Sequence, residues 1–335
     1  MPRGLTVLSF GAGTDSGCLL QMYTHDAKFR ATYAPHDFVV AMSATGDEHS
    51  ETDAYRVEIE GQCAQRGIPF VHIVGSMGYH SGTWAGGLHA TWEAKSTIGS
   101  VAYPATCSPN LKSTPFYHWL ADYVRERYGY AGAGKQSLVQ FAEKHGKIRV
   151  MIGFARGEES RVPDTNPCQT AFDFAKPVDT QPLWRKNAIE LIFPLIEMRM
   201  DRGDCIRYLD SVKETNPYPS LCFSCMFKGP IEILISARTD PARFQRWVDA
   251  EQRKIDAWAD ESFRRARQKP ENFRPNSEYK NLGVAGRGEF RNGIFVPVTL
   301  LDTLREAERT YGHMTAEELD DYRRSHGHCV KTKAA

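Results

Sequence analysis

This sequence of 335 residues predicts an α/β fold, a parallel sheet with helices packed on it. Three observations predict it. The apolar run from Leu5 to Phe10 breaks into the glycine-rich turn Gly11-Ala12-Gly13 and then into a helix with an apolar face. Two more short apolar runs, 37–44 and 70–74, alternate with helical patterns. A fourth, 147–154, repeats the pattern after a long middle stretch. Strands alternating with helices form parallel sheets, and ligands bind at the strands' carboxyl ends.

The elements follow in order. Residues 5–10 read as a buried strand, and Leu19, Leu20, Met22 and Tyr23 carry a helix to about Phe29. A second strand over 37–44 ends in the polar turn Thr45-Gly46-Asp47-Glu48-His49, and a helix follows from about Glu51 to Arg66. The third strand is 70–74. Residues 77–104 show no period and read as a long loop, the length that function or mobility usually explains. A helix is expected from Pro115 to about Tyr128, and the strand 147–154 runs into Gly153-Phe154-Ala155-Arg156 and Glu158-Glu159-Ser160-Arg161. Leu191 to Ile196 is another apolar segment, and a helix containing Cys205 starts near Asp201. Past Ile231 the character changes. A charged helix is expected over 240–269, a polar loop over 270–293, and short helices over 300–311 and 316–325. The division is therefore residues 1–235 as a nucleotide-binding α/β domain and 236–335 as a mainly helical C-terminal region.

Composition excludes several classes. A formal charge of +1 argues against a globally basic nucleic-acid coat, although the basic run Arg264 to Lys269 is a local patch. No apolar run approaches the roughly 20 residues that span a bilayer. The N-terminus lacks a signal-peptide core, so a soluble cytoplasmic protein is expected. Eight cysteines in a chain this long are not a secreted disulfide scaffold and point instead to metal or redox chemistry.

Strand, glycine turn and helix start together put backbone N–H groups around an anion. A dinucleotide fingerprint fails because Ser16 stands at its last glycine, and a Walker A loop fails for want of a lysine. A second glycine run, Gly129 to Gln136, satisfies G-x-x-x-x-G-K. It ends in Gln136 and follows a helix, so it reads as an ordinary loop.

The order Gly-Ala-Gly-Thr-Asp-Ser resembles the pyrophosphate loop of the ATP pyrophosphatase (PP-loop) superfamily, with Gly11 for the usual Ser and Ala12 for the usual Gly. Further segments resemble its phosphoadenosine phosphosulfate reductase-like branch, of the phage and mobile-element type. They are Ser9 to Ser16, then Gly46, Glu48, Glu51 and Thr52, then Cys107, Lys112 and Pro115. Gly153, Arg156, Glu159, Ser160 and Arg161 follow, with Phe193 to Glu197 and then Cys205 and the Cys222/Cys225 pair. The resemblance covers residues 5–230. It implies a twisted parallel sheet with helices on both faces, of the adenine nucleotide alpha-hydrolase-like kind.

The resemblance also implies ATP or an adenosine phosphosulfate as ligand, with magnesium. Ser9, Gly11, Ala12, Gly13, Thr14, Asp15, Ser16, Gly46, Glu48 and Gly153 would hold it. Asp15, Lys112, Arg156 and Arg161 would serve the displacement at phosphorus. Each of these cations also has the plainer reading of a surface ion pair. Cys222-x-x-Cys225 fits a redox dithiol, half a zinc site, or two ligands of a [4Fe-4S] cluster, with Cys107 as a third ligand and Cys205 or Cys168 as a fourth.

The expected activity is substrate adenylation with pyrophosphate release, for sulfur transfer or nucleobase modification. The acceptor would be a small molecule or a nucleic acid. The alternatives are a true sulfonucleotide reductase using Cys329, which lacks the usual E-C-G-x-H surroundings, and a non-catalytic nucleotide-binding protein. His326-Gly327-His328-Cys329 reads as adventitious metal-binding composition.

Overall fold

The computed structural model describes residues 4–102, 105–162, 181–259 and 282–325. The chain divides into two compact units, the first drawn from residues 1–43, 50–73 and 114–220 and the second from 44–49, 74–113 and 221–335. This differs from the expected boundary at 235. The second unit starts at Leu221 and also claims the turns after the second and third strands. Packing is the reason. Leu88, Trp92, Ile98 and Leu111 share one apolar cluster with Phe223, Met226, Ile233 and Trp247.

In the first unit, β1 (Leu5–Ser9), β2 (Asp37–Ser43), β3 (Phe70–Ile73), β4 (Ile148–Ile152) and β5 (Ile189–Ile192) form one sheet in the order β3-β2-β1-β4-β5. Every pairing is parallel. Helices α1 (Thr14–His25) and α2 (Ala27–Tyr33) join β1 to β2, and α3 (Ser50–Gln65) joins β2 to β3. Between β3 and β4 come α4 (Gly87–Lys95, in the second unit), α5 (Thr114–Tyr128) and α6 (Gln136–His145). Helix α7 (Leu183–Ala188) precedes β5, and α8 (Pro194–Glu197) and α9 (Arg202–Ser211) follow it.

Parallel crossovers are right-handed. The chain steps outward from β1 to β3, then jumps back past β1 to β4, so α1 and α3 cover one face while α5 and α6 cover the other. Burial agrees. Leu8, Phe10, Val40, Met42 and Met151 cluster with Cys18, Leu19, Met22, Ile59 and Cys63. The alternate strand residues Leu5, Val7, Val39, Ala41, Ile148 and Val150 are buried as well. A strand covered on both faces needs a continuous apolar run, which is the pattern the sequence carries. The strand order reverses between β1 and β4, and the carboxyl ends of strands at such a switch point are the usual ligand position in these sheets.

The second unit is mainly helical. It holds α4, a π-helical turn at Ser108–Ser113, α10 (Pro230–Thr239), α11 (Pro241–Ala259), the antiparallel pair β6 (Gly288–Arg291) and β7 (Ile294–Pro297), α12 (Leu300–Tyr311) and α13 (Ala316–Ser325). Two expectations fail here. Residues 77–104 are not all loop, because α4 buries Leu88 and Trp92, four residues apart, on its inner side. It is only nine residues long and lies between the left-handed backbone of Gly87 and Ser96, too short for a period to show. The expected loop 270–293 contains β6, closed to β7 by Asn292-Gly293. Both turn residues have positive φ (50° and 80°), as a type I′ hairpin requires. The described part of the expected helix 240–269 is α11; its basic end lies outside the described residues. Among the described residues no helix is long and apolar enough to cross a membrane.

Candidate functional site

In the first unit the turn between β1 and α1 is shaped by one residue. Ala12 is wholly buried and takes the left-handed conformation, φ +53°, where the resembled family has Gly. That reversal turns successive amides inward, as in an anion nest. The N–H groups of Gly11 and Gly13 converge on Ser16 Oγ at 3.2 and 3.4 Å, and that hydroxyl donates to Gly13 O at 3.2 Å. Gly13 is glycine for a contact within the unit: a Cβ there would lie 2.6 Å from Ser220 N. Thr14 Oγ1 donates to Pro217 O at 2.8 Å, so the strap 217–220 is fastened beside the turn. A Cβ on Gly153 would sit 2.9 Å from Ser16 N, so the loop after β4 runs against the first turn of α1. Ser9 ends β1, in register with Ala41 and Ile152.

Two ion pairs lie at this turn, and a third is joined to them through the neighbours Asp201 and Arg202. Arg202 Nη2 donates to Asp15 Oδ2 at 2.8 Å and its Nε to Oδ1 at 3.4 Å. Arg161 Nη1 donates to Glu158 Oε1 at 2.8 Å, with its guanidinium 4.3 Å above the Phe154 ring. Arg156 Nη2 donates to Asp201 Oδ2 at 2.5 Å. Burial pushes the Asp15 carboxyl up, and the bond and charge of Arg202 only partly offset that. Glu158 and Arg161 also act on Asp15 electrostatically, so these two and the Asp15–Arg202 pair belong to one cluster, while the Arg156–Asp201 pair is more exposed.

The second unit holds the turn after β2. Asp47 is 2% exposed. It accepts Ser224 N at 2.7 Å and Arg243 Nη2 at 3.1 Å, and His89 Nε2 lies 3.2 Å away. Burial alone would push this carboxyl up; His89, the Ser224 amide and Arg243 outweigh it and hold it below the ordinary carboxylate range. Asp47, His89 and Ser224 share the residue types of a hydrolase triad but not its geometry. Both contacts of His89 run through Nε2, with Ser224 Oγ at 2.9 Å, and a triad needs the two ring nitrogens on opposite partners.

Gly46 and Glu48, expected at the nucleotide, belong with this turn to the second unit. Glu48 Oε1 accepts Thr45 N at 2.6 Å and Thr45 Oγ1 at 2.7 Å, and its Oε2 accepts Asp47 N at 3.2 Å. Gly46 has φ +73°, and a Cβ there would lie 3.2 Å from Gly87 Cα.

The remaining expected residues fall as follows. Asp15, Arg156, Arg161 and Gly153 belong to the first unit with the glycine turn, and Lys112 to the second, exposed on the π-helical turn. Of the four expected metal ligands, Cys107, Cys222 and Cys225 belong to the second unit, while Cys205 belongs to the first. Cys205 does not suit a ligand role. It is wholly buried in the apolar core, and its hydrogen bond with Cys18 and its burial push its thiol far up. Metals take the thiolate. Cys222 Sγ donates to Thr45 Oγ1 at 3.4 Å, and burial raises its thiol to about 12, against the pull of Lys112. Among the described residues no three His, Cys, Asp or Glu side chains are grouped to hold a metal. Cys168 and Cys329 lie outside the described residues, as does the rest of the 326–329 motif.

Sequence reasoning missed Arg202 and Ser220. One signal for Arg202 was available: it is the first residue of α9, after the N-cap Asp201, where the helix dipole disfavours a cation. Ser220 carried no signal, since its role comes from a contact across two hundred residues of chain. Compared with known proteins, the chain matches no family model and no curated protein.

Proposed function

We propose that the first unit binds the polyphosphate of ATP, or of a related adenosine phosphate, at the turn 11–16 and activates a substrate by adenylation. The observation that carries this reading is the convergence of the Gly11 and Gly13 amides at the start of α1, beside Arg202 and Arg161, at the carboxyl ends of β1 and β4. A phosphate oxygen there takes the place of Ser16 Oγ as acceptor of these amides, and the Ser16 hydroxyl turns from Gly13 O to donate to it. Arg156 and Arg161 neutralise charge as pyrophosphate leaves the α-phosphorus. Asp15 and Glu158 supply hard carboxylate oxygens, of the kind that magnesium takes singly or in pairs beside phosphates.

In the reaction, a substrate oxygen attacks the α-phosphorus and the bond to pyrophosphate breaks. A nucleophile such as sulfur then displaces AMP. The adenine and the adenylation rest on the resemblance in the sequence. The test is release of pyrophosphate and AMP from labelled ATP across a panel of nucleobase, nucleoside and carboxylate acceptors, with sulfide present as the nucleophile that displaces AMP. Formation of both, lost in Asp15→Ala and Arg161→Gln, is the expected result. Tight ATP binding without either product from any acceptor would leave a nucleotide-binding protein and remove the enzymatic reading.

A further inference from the structure

Arg202 is a cation in an awkward place. It opens α9, where the free N–H groups and the helix dipole repel positive charge. It is held there by both oxygens of Asp15, the second residue of α1. Asp15 in turn is a carboxylate at a turn built to attract anions. Asp15 thus answers the misplacement of Arg202, while its own place in the first turn of α1 is one the dipole favours. The pair is reachable, since the two side chains are 13% and 20% exposed, and the nearby Arg161 is matched with Glu158.

A polyphosphate entering the nest brings a second and stronger acceptor for the Arg202 guanidinium, whose fork suits phosphate as well as carboxylate. If Arg202 moves to phosphate, Asp15 is left desolvated and unpaired, which is costly unless a divalent cation takes its place. We propose that Arg202 is a phosphate-binding residue of this site, held in reserve by Asp15 and released when the nucleotide arrives with a divalent cation. This rests on the nucleotide reading above. It adds a residue and a coupling to it: metal and nucleotide bind together because one carboxylate changes partner.

The test is calorimetric titration of the full-length protein with ATP, with magnesium and with EDTA. The wild-type protein is expected to bind ATP at least about tenfold more tightly with magnesium. Asp15→Asn frees Arg202 without a charge to leave behind, so it should bind metal-free ATP about tenfold more tightly than wild type and lose most of the magnesium dependence. That gain must depend on Arg202. In the Arg202→Gln background, Asp15→Asn should bring little gain. An equal gain in both backgrounds would mean simple removal of a negative charge, and would overturn the exchange. A merely structural pair predicts that Asp15→Asn binds ATP no better than wild type, and this result also overturns it. If the wild-type protein binds ATP equally with and without magnesium, the exchange fails and the nucleotide reading stands. If no form binds ATP under either condition, both fail together.

Discussion

Asp15 and Asp47 each follow a parallel strand of the same sheet, and they are built to opposite ends. Asp47 is sealed, with an amide, a guanidinium and an imidazole holding its carboxylate below the ordinary range. Asp15 is hydrogen-bonded to one cation, Arg202, with Arg161 acting only through space, and burial leaves its carboxyl above the ordinary range. A completed set of partners makes an acid structural; an incomplete set leaves capacity for a ligand. By that criterion the turn after β2 folds the second unit, and the turn after β1 is the one we propose as the site.

The contrast can be broken most forcefully at Asp47. Asp47→Ala should cost about 3–5 kcal/mol of unfolding free energy, because it removes the buried acceptor shared by the Ser224 amide, Arg243 and His89. Urea denaturation measures this, and a loss under about 1 kcal/mol would mean that the sealed network is not structural. The next effect is Gly13→Ala, whose Cβ meets the Ser220 backbone. It should cost about 1–3 kcal/mol through overpacking and weaken ATP binding as the strap shifts.

Stability against pH separates the two acids by sign. A lowered carboxyl gives stability that is present above the ordinary carboxylate range and lost as pH falls through the folded value. The gap between wild type and Asp47→Asn should therefore widen as pH rises. A raised carboxyl gives stability that is present at low pH and lost as pH rises through its folded value. Asp15→Asn should accordingly gain on wild type over the same rise, by no more than about 1 kcal/mol after solvent screening. Parallel curves for the two variants would erase the distinction.

The smallest effect is at Ala12. Glycine relieves a left-handed φ worth about 1–2 kcal/mol but adds unfolded-chain entropy of about 0.5–1 kcal/mol. Ala12→Gly should therefore be neutral to about 1 kcal/mol more stable in thermal unfolding. A clear destabilisation would mean that the buried methyl matters more than the strain.

The sheet was legible because strands covered on both faces write unbroken apolar runs, as Leu5 to Ser9 and Ile148 to Ile152 do. The turn at 11–16 was legible because nest, hydroxyl and acid lie within six residues. What stayed hidden depends on distance in the chain. Arg202 reaches Asp15 across 187 residues, and no local pattern encodes that pairing. The same holds for the assembly of the second unit from three segments, which took Gly46 and Glu48 into its own folding. Helix α4 and the β6–β7 hairpin were missed for the opposite reason: each is too short for its period to rise above its polar surroundings.

The central claim is that the amides of Gly11 and Gly13 receive nucleotide phosphate. The most direct measurement is calorimetric binding of magnesium ATP to the wild-type protein and to Gly11→Val, whose Cβ would come 3.1 Å from Ser220 Oγ, with circular dichroism to verify folding. Saturable one-to-one binding to wild type, weakened about a hundredfold in a folded Gly11→Val, is the predicted result. Equal affinity in both folded proteins would place the nucleotide elsewhere and contradict the account.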